Sequence, residues 1–133
     1  MAVLLDVNLI LAAAWDTHAE HTRARKWLLD LPEFVTCPIT ELGFIRVSMS
    51  PAYSASFENA VAFIQALRGL DSHHQVDDDM SPTAMPQVQR YKDTTDAYLV
   101  LLAKNHGLSL ATLDRGILKQ EWADGIAFNP LAV

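Results

Sequence analysis

The sequence predicts an α/β protein in which a short central parallel sheet is covered by helices on both faces, a three-layer α/β/α arrangement. Two observations carry this expectation. Short apolar runs bounded by polar turns alternate with longer segments of helical periodicity, which is the pattern of parallel strands joined by helices. Acidic residues also stand where two of those runs end, the side on which open sheets of this kind build their sites. With 133 residues, half of them apolar and a fifth charged, the chain is expected to form one domain over residues 1–133, with a single core and no disordered bulk.

The first element is the apolar run Ala2 to Leu5, read as a buried strand that ends abruptly in Asp6-Val7-Asn8, with a helix following at once. From Ala19 to Leu31, Ala24, Trp27, Leu28 and Leu31 recur at helical spacing until Pro32 ends the pattern, giving an amphipathic helix. Phe34 to Cys37 is β-prone, and Pro38 with Thr40 and Glu41 marks the entry of a helix reaching about Ser48. Phe57 to Leu70 forms a further helix with Val61, Ile64 and Leu67 on one face, and Asp71 to Asp79 reads as a polar loop. Thr94 and Thr95 cap a helix running to about His106, which Gly107 stops. Leu108 to Leu113 is a strand ending in Asp114-Arg115-Gly116, and a last short strand fits Ile126 to Phe128.

Composition excludes several classes of function. The longest apolar runs, Leu9 to Trp15 and Ala97 to Ala103, are too short to span a bilayer, and Asp6 interrupts any secretory leader, so the cytoplasm is the expected location. A lone cysteine, Cys37, rules out an internal disulfide or a multi-cysteine zinc site and reads as a buried thiol. Isolated glycines leave no phosphate-cradling loop, and no serine sits in a nucleophile elbow. Net charge is −6 with a pI near 5.2, so a nucleic-acid substrate would need bound cations to offset its phosphates.

Four acids draw attention. Asp6 and Asp114 follow strands directly, while Glu41 and Asp96 open helices, so all four are expected on one edge of the sheet. Clustered carboxylates oppose one another's ionisation and stay charged only beside a cation. Oxygen-only ligands favour magnesium or manganese, which points to phosphodiester chemistry by an activated water. The plainer reading is that acids at helix starts complement the helix dipole, about 0.3–1 kcal/mol each. Two rival functions stay open: transfer through an aspartyl phosphate on Asp6, disfavoured by Asn8 where a second acid would stand, and a non-catalytic binding module.

His73 and His74 with Asp77 to Asp79 read as a solvated loop, and His18 with His21 as surface residues. Trp15, Trp27 and Trp122 are expected in the core. Arg90, Lys92, Arg115 and Lys119 read equally well as a basic rim or as ordinary surface charge.

The segments LLDVNLILA (Leu4 to Ala12), TCPITELGFIRVS (Thr36 to Ser48), TTDAYLVLLAKNHG (Thr94 to Gly107) and LATLDRGI (Leu110 to Ile117) resemble the four sequence blocks of PIN-domain toxins of the VapBC toxin–antitoxin type. The resemblance implies a PIN-like fold and a Mg2+- or Mn2+-dependent endoribonuclease with Asp6, Glu41, Asp96 and Asp114 as its catalytic, metal-binding acids. It further implies support from Asn8 and Thr112 and a basic position at Arg46, facing a carboxylate or the antitoxin. A homodimer, an RNA substrate, a VapB-type antitoxin and DNA binding only through the antitoxin complex follow from the same resemblance. Asp93, one helical turn before Asp96, departs from the pattern and is expected to share or replace its role. Residues 53–91 carry no family motif.

Overall fold

The computed structural model describes residues 2–132. Five short strands, β1 (Val3–Leu5), β2 (Phe34–Thr36), β3 (His73–Gln75), β4 (Ser109–Ala111) and β5 (Ala127–Phe128), form one parallel sheet in the order β3-β2-β1-β4-β5. The chain steps outward one way from β1 and later crosses to its other side. The reversal of strand order therefore falls between β1 and β4.

Strand residues alternate between two cores, as the two-residue period of a strand requires. Val3, Leu5, Phe34 and Ala111 face one side, whereas Leu4, Val35 and Leu110 face the other. On the first side lie α1 (Val7–Ala14), α2 (His21–Asp30) and α4 (Phe57–Arg68), with Phe44 from α3 (Pro38–Ser48). Trp15 stacks on Phe44 at 5.8 Å and Phe44 on Phe63 at 5.4 Å, and the Trp15 indole N–H donates to Ser48 Oγ at 2.9 Å. On the second side, α5 (Thr94–Asn105) buries Leu99 and Leu102 completely, each contributing about 1.5–3 kcal/mol. Ile117 of the short helix α6 (Arg115–Leu118) joins this layer. Trp27 and Trp122 pack against the cores, and Cys37 is a fully buried free thiol.

Helices start where their capping chemistry allows. Pro38 sits in the first turn of α3, Ser56 Oγ accepts from the Asn59 N–H at the start of α4, and Gly107 turns the chain after α5 at φ 68°. Three expectations need correction. The polar segment 71–79 is not wholly loop, because His73–Gln75 pairs in parallel with β2 as the sheet edge. A short helix, α6, follows Asp114. His18 and His21 are half-buried: Glu20 N–H donates to His18 Nδ1, and His21 Nδ1 lies 2.8 Å from the Ala12 carbonyl. Among the described residues no helix is long and apolar enough to cross a membrane.

Candidate active site

Beyond the carboxyl ends of β1 and β4, at the reversal of strand order, lies a cleft of about 360 Å³ lined by Asp6, Asn8, Gly43, Arg46, Lys92, Thr95, Asp96 and Asp114 among others. Asp6 follows β1 and caps α1, its Oδ1 accepting from Val7 N–H at 2.8 Å. Its backbone N–H donates to Ala111 O at 2.9 Å, which fixes the two strand ends side by side. Thr112, fully buried, donates from Oγ1 to Asp6 Oδ2 at 2.7 Å and accepts from Asp114 N–H at 3.0 Å. Asn8 spans the same gap: its Oδ1 accepts from Leu113 N–H at 3.1 Å, and its amide nitrogen lies 3.5 Å from Thr112 Oγ1. Asp114 caps α6 through Gly116 and Ile117 N–H. Asp96 projects from the first turn of α5.

The electrostatics of Asp6 and Asp96 record the crowding of the cleft. Burial pushes Asp6 above the ordinary carboxylate range, opposed by the hydrogen bonds from Thr112 and Val7 and reinforced by the charge of Asp114. Asp96 is pushed up to about 7, first by burial and then by Asp6, Asp114 and Asp93. Three carboxylates in one shared cleft, with Asp6 and Asp96 resisting ionisation there, form a fitting seat for a divalent cation. Among the described residues no three acids, histidines or cysteines close into a ready cage. An open, oxygen-only set of this kind suits magnesium or manganese, which retain waters and use few protein ligands.

The structure brings together three of the four expected acids and keeps the fourth apart. On α3, Ile39, Gly43, Arg46 and Val47 face the cleft, a stripe at helical spacing. Glu41 lies two residues from Ile39 and from Gly43, a rotation of about 200° around the helix. It therefore points the other way, where its Oε2 accepts from Thr36 Oγ1 at 2.7 Å and its Oε1 pairs with Arg68 at 2.9 Å. His73 Nε2 also contacts Thr36 Oγ1 at 2.7 Å, and burial holds its pKa below the ordinary imidazole range.

Asp93 is outside the cleft lining and acts on Asp96 only through its charge. Arg46 does line the cleft, as does Lys92, so two cations oppose the three acids. Sequence reasoning did not single out Gly43 or Arg68. Gly43 had a detectable signal, a small residue on the helical stripe of Ile39, Arg46 and Val47; Arg68 had none, being 27 positions from its partner.

A parallel sheet with acids gathered where its strand order reverses is the architecture of a recognised nuclease-type fold, and the chain belongs to that family: the PIN domain model matches residues 3–122. Within it, the chain is similar to Ribonuclease VapC38 of Mycobacterium tuberculosis, with 39% identity over 121 residues and 86% of each chain covered. It is also similar to Ribonuclease VapC39 of the same species, with 31% identity over 127 residues, covering 88% of this chain and 91% of the relative. The crystal structure of Mycobacterium tuberculosis VapC20, a Sarcin-Ricin loop cleaving toxin, superimposes with a TM-score of 0.64 over 84% of this chain and 89% of that one. At 13% identity that likeness concerns the fold alone.

Proposed function

We propose that this chain, a single PIN domain, is a metal-dependent endoribonuclease and the toxin of a toxin–antitoxin pair. The observation that carries the reading is the convergence of Asp6, Asp96 and Asp114 on one cleft at the switch point, with Asp96 raised by burial and further by its acidic neighbours. Similarity to ribonucleases of the VapC type supports the choice of RNA and of a VapB-type antitoxin. The homodimer and the contact with DNA through the antitoxin complex belong to the same proposal, as does action in the cytoplasm.

Asp6, Asp96 and Asp114 would hold Mg2+ or Mn2+, which when bound supplies Lewis acidity and an activated water for attack on phosphorus. The chain's own residues set up that chemistry. Thr112 holds the Asp6 carboxylate in one orientation, and Asn8 ties the end of β4 to the start of α1. Arg46 and Lys92 offer positive charge to the RNA phosphates on a chain that is otherwise acidic. Glu41, joined to Thr36 and Arg68, positions α3 rather than meeting the substrate.

An aspartyl-phosphate mechanism fits poorly, because the position two residues after Asp6, where that chemistry needs a second acid, holds Asn8, whose Oδ1 is engaged by Leu113 N–H. The deciding experiment incubates a pool of folded RNAs with purified protein in Mg2+ or Mn2+, with chelator, and with Asp96→Asn. Metal-dependent cutting that the substitution abolishes is the expected result. Cutting that survives Asp96→Asn or chelation would overturn the proposal.

A further inference from the structure

Next to the acidic cleft lies a larger depression of about 520 Å³, walled by Ile39, Asp78, Met80, Met85, Thr95 and Tyr98 among others. That volume is within the roughly 300–1,000 Å³ of small-molecule sites. Ile39 and Thr95 line both spaces, so the depression opens beside the cleft within one residue of Asp96. Half of its wall residues come from 78–85, within the stretch without a family motif. Tyr98, buried on α5, fixes that stretch by donating its hydroxyl to Met80 O at 2.8 Å.

One polar atom in this lining stands out. Oδ1 of Asp78 is buried and, among the described residues, accepts from no N–H or O–H donor. The neighbouring Cys37 thiol, pushed up mainly by burial, is hydrogen-bonded to the Asp78 side chain. A buried carboxylate served by nothing stronger than a thiol, a weak donor, keeps the capacity to accept a stronger donor from outside.

We infer that this depression is a nucleobase subsite of the nuclease and that Asp78 selects guanine within it, an inference that rests on the ribonuclease reading above. Single-stranded RNA is read by splaying a base into an apolar recess and bonding its Watson–Crick edge. The methionine and isoleucine walls supply the apolar contact. Guanine presents two adjacent donors, N1–H and the N2 amino group, to a carboxylate. Adenine and cytosine each set an acceptor ring nitrogen beside their amino group, and uracil flanks its one donor with two carbonyls. Each of these would face an acceptor oxygen with another acceptor, so a carboxylate at the wall discriminates for guanine by repulsion as well as attraction. A nucleotide whose phosphate meets the acidic cleft then places an adjacent base in the recess.

Two measurements test the inference separately from the nuclease reading. In the first, the ends of a randomised single-stranded RNA cut by the protein with Mn2+ are sequenced. Guanine is expected at one fixed position beside the cut, favoured about tenfold over uracil, with the ratio falling to near one in Asp78→Asn. Cutting with no base preference there, or a preference that survives Asp78→Asn, would overturn the subsite while leaving the nuclease standing.

The second measurement needs no cleavage. Guanosine 5′-monophosphate is titrated into the metal-free protein while the methyl signals of Met80 and Met85 are followed by NMR. Shifts with the guanine nucleotide, absent with uridine 5′-monophosphate and lost in Asp78→Asn, support the site. Equal shifts with both nucleotides, or none with either, refute it even if no RNA is ever cut.

Discussion

Glu41→Gln separates a residue that builds the cleft from one that works in it. The side chain of Glu41 is 11% exposed, whereas that of Arg68, which it meets at 2.9 Å, is 46% exposed. Glutamine keeps the shape and one acceptor oxygen, so either Thr36 or Arg68 still finds a partner while the other faces an amide N–H2. A charge-assisted hydrogen bond contributes about 1.5–3 kcal/mol. Solvent around the half-exposed arginine screens the pair, so the expected loss is toward the lower end, about 1–2 kcal/mol. For a chain of this size that corresponds to a Tm lower by roughly 3–8 °C.

Because Glu41 faces away from Asp6, Asp96 and Asp114, RNA cleavage at a temperature where the variant is folded should stay within about threefold of wild type. Asp96→Asn should lose a hundredfold or more on the same substrate. The assay is a thermal melt and a cleavage time course on one preparation, with Arg68→Met added to complete a double-mutant cycle. A folded Glu41→Gln protein that no longer cuts RNA would refute the phase assigned to α3 and return Glu41 to the cleft.

Four other predictions follow from the geometry. Asp96 has a pKa raised from 3.8 to about 7, so the metal-free fold prefers its protonated form: stability should fall as pH rises from about 4 to about 7 and level off above. Asp96→Asn should flatten that slope in thermal melts, and an unchanged slope would contradict it. By the same sign, Mn2+ competes with a proton at Asp96, so calorimetric affinity for Mn2+ should increase between pH 6 and pH 8; a level profile would count against the site. Thr112→Val removes the donor to Asp6 and the acceptor for Asp114 N–H, and should cost about 1–3 kcal/mol in chemical unfolding with a roughly tenfold slower cleavage, both restored by Thr112→Ser. A Cβ at Gly43 would stand 2.7 Å from Val7 Cγ2, so Gly43→Ala should destabilise by about 1–3 kcal/mol, and pairing it with Val7→Ala should recover most of the loss.

Much of this molecule is legible in one dimension because burial leaves periodic marks. The expected helix from Pro38 to about Ser48 coincides with α3, and the run after Ser56 coincides with α4 up to its glycine cap. Asp6 and Asp114 were conspicuous for ending apolar strands, and the fold carries both to the switch point. Burial of an aliphatic side chain is decided by its own chemistry, so its spacing reports the element that holds it.

Polar partnerships leave no such mark. The edge strand His73–Gln75 carries no apolar alternation, and only the backbone of Phe34–Thr36 beside it makes it a strand. Glu41 looks equivalent to Asp96 in the sequence, since both acids open helices. The difference is a rotation of about 200° on α3 and an arginine 27 residues away that meets it there. Which acids share a cleft, and which recess adjoins them, depends on how distant helices are phased against one sheet. A carboxylate is satisfied equally by a cation, a hydroxyl or an arginine, and tertiary packing alone decided which of these each acid received.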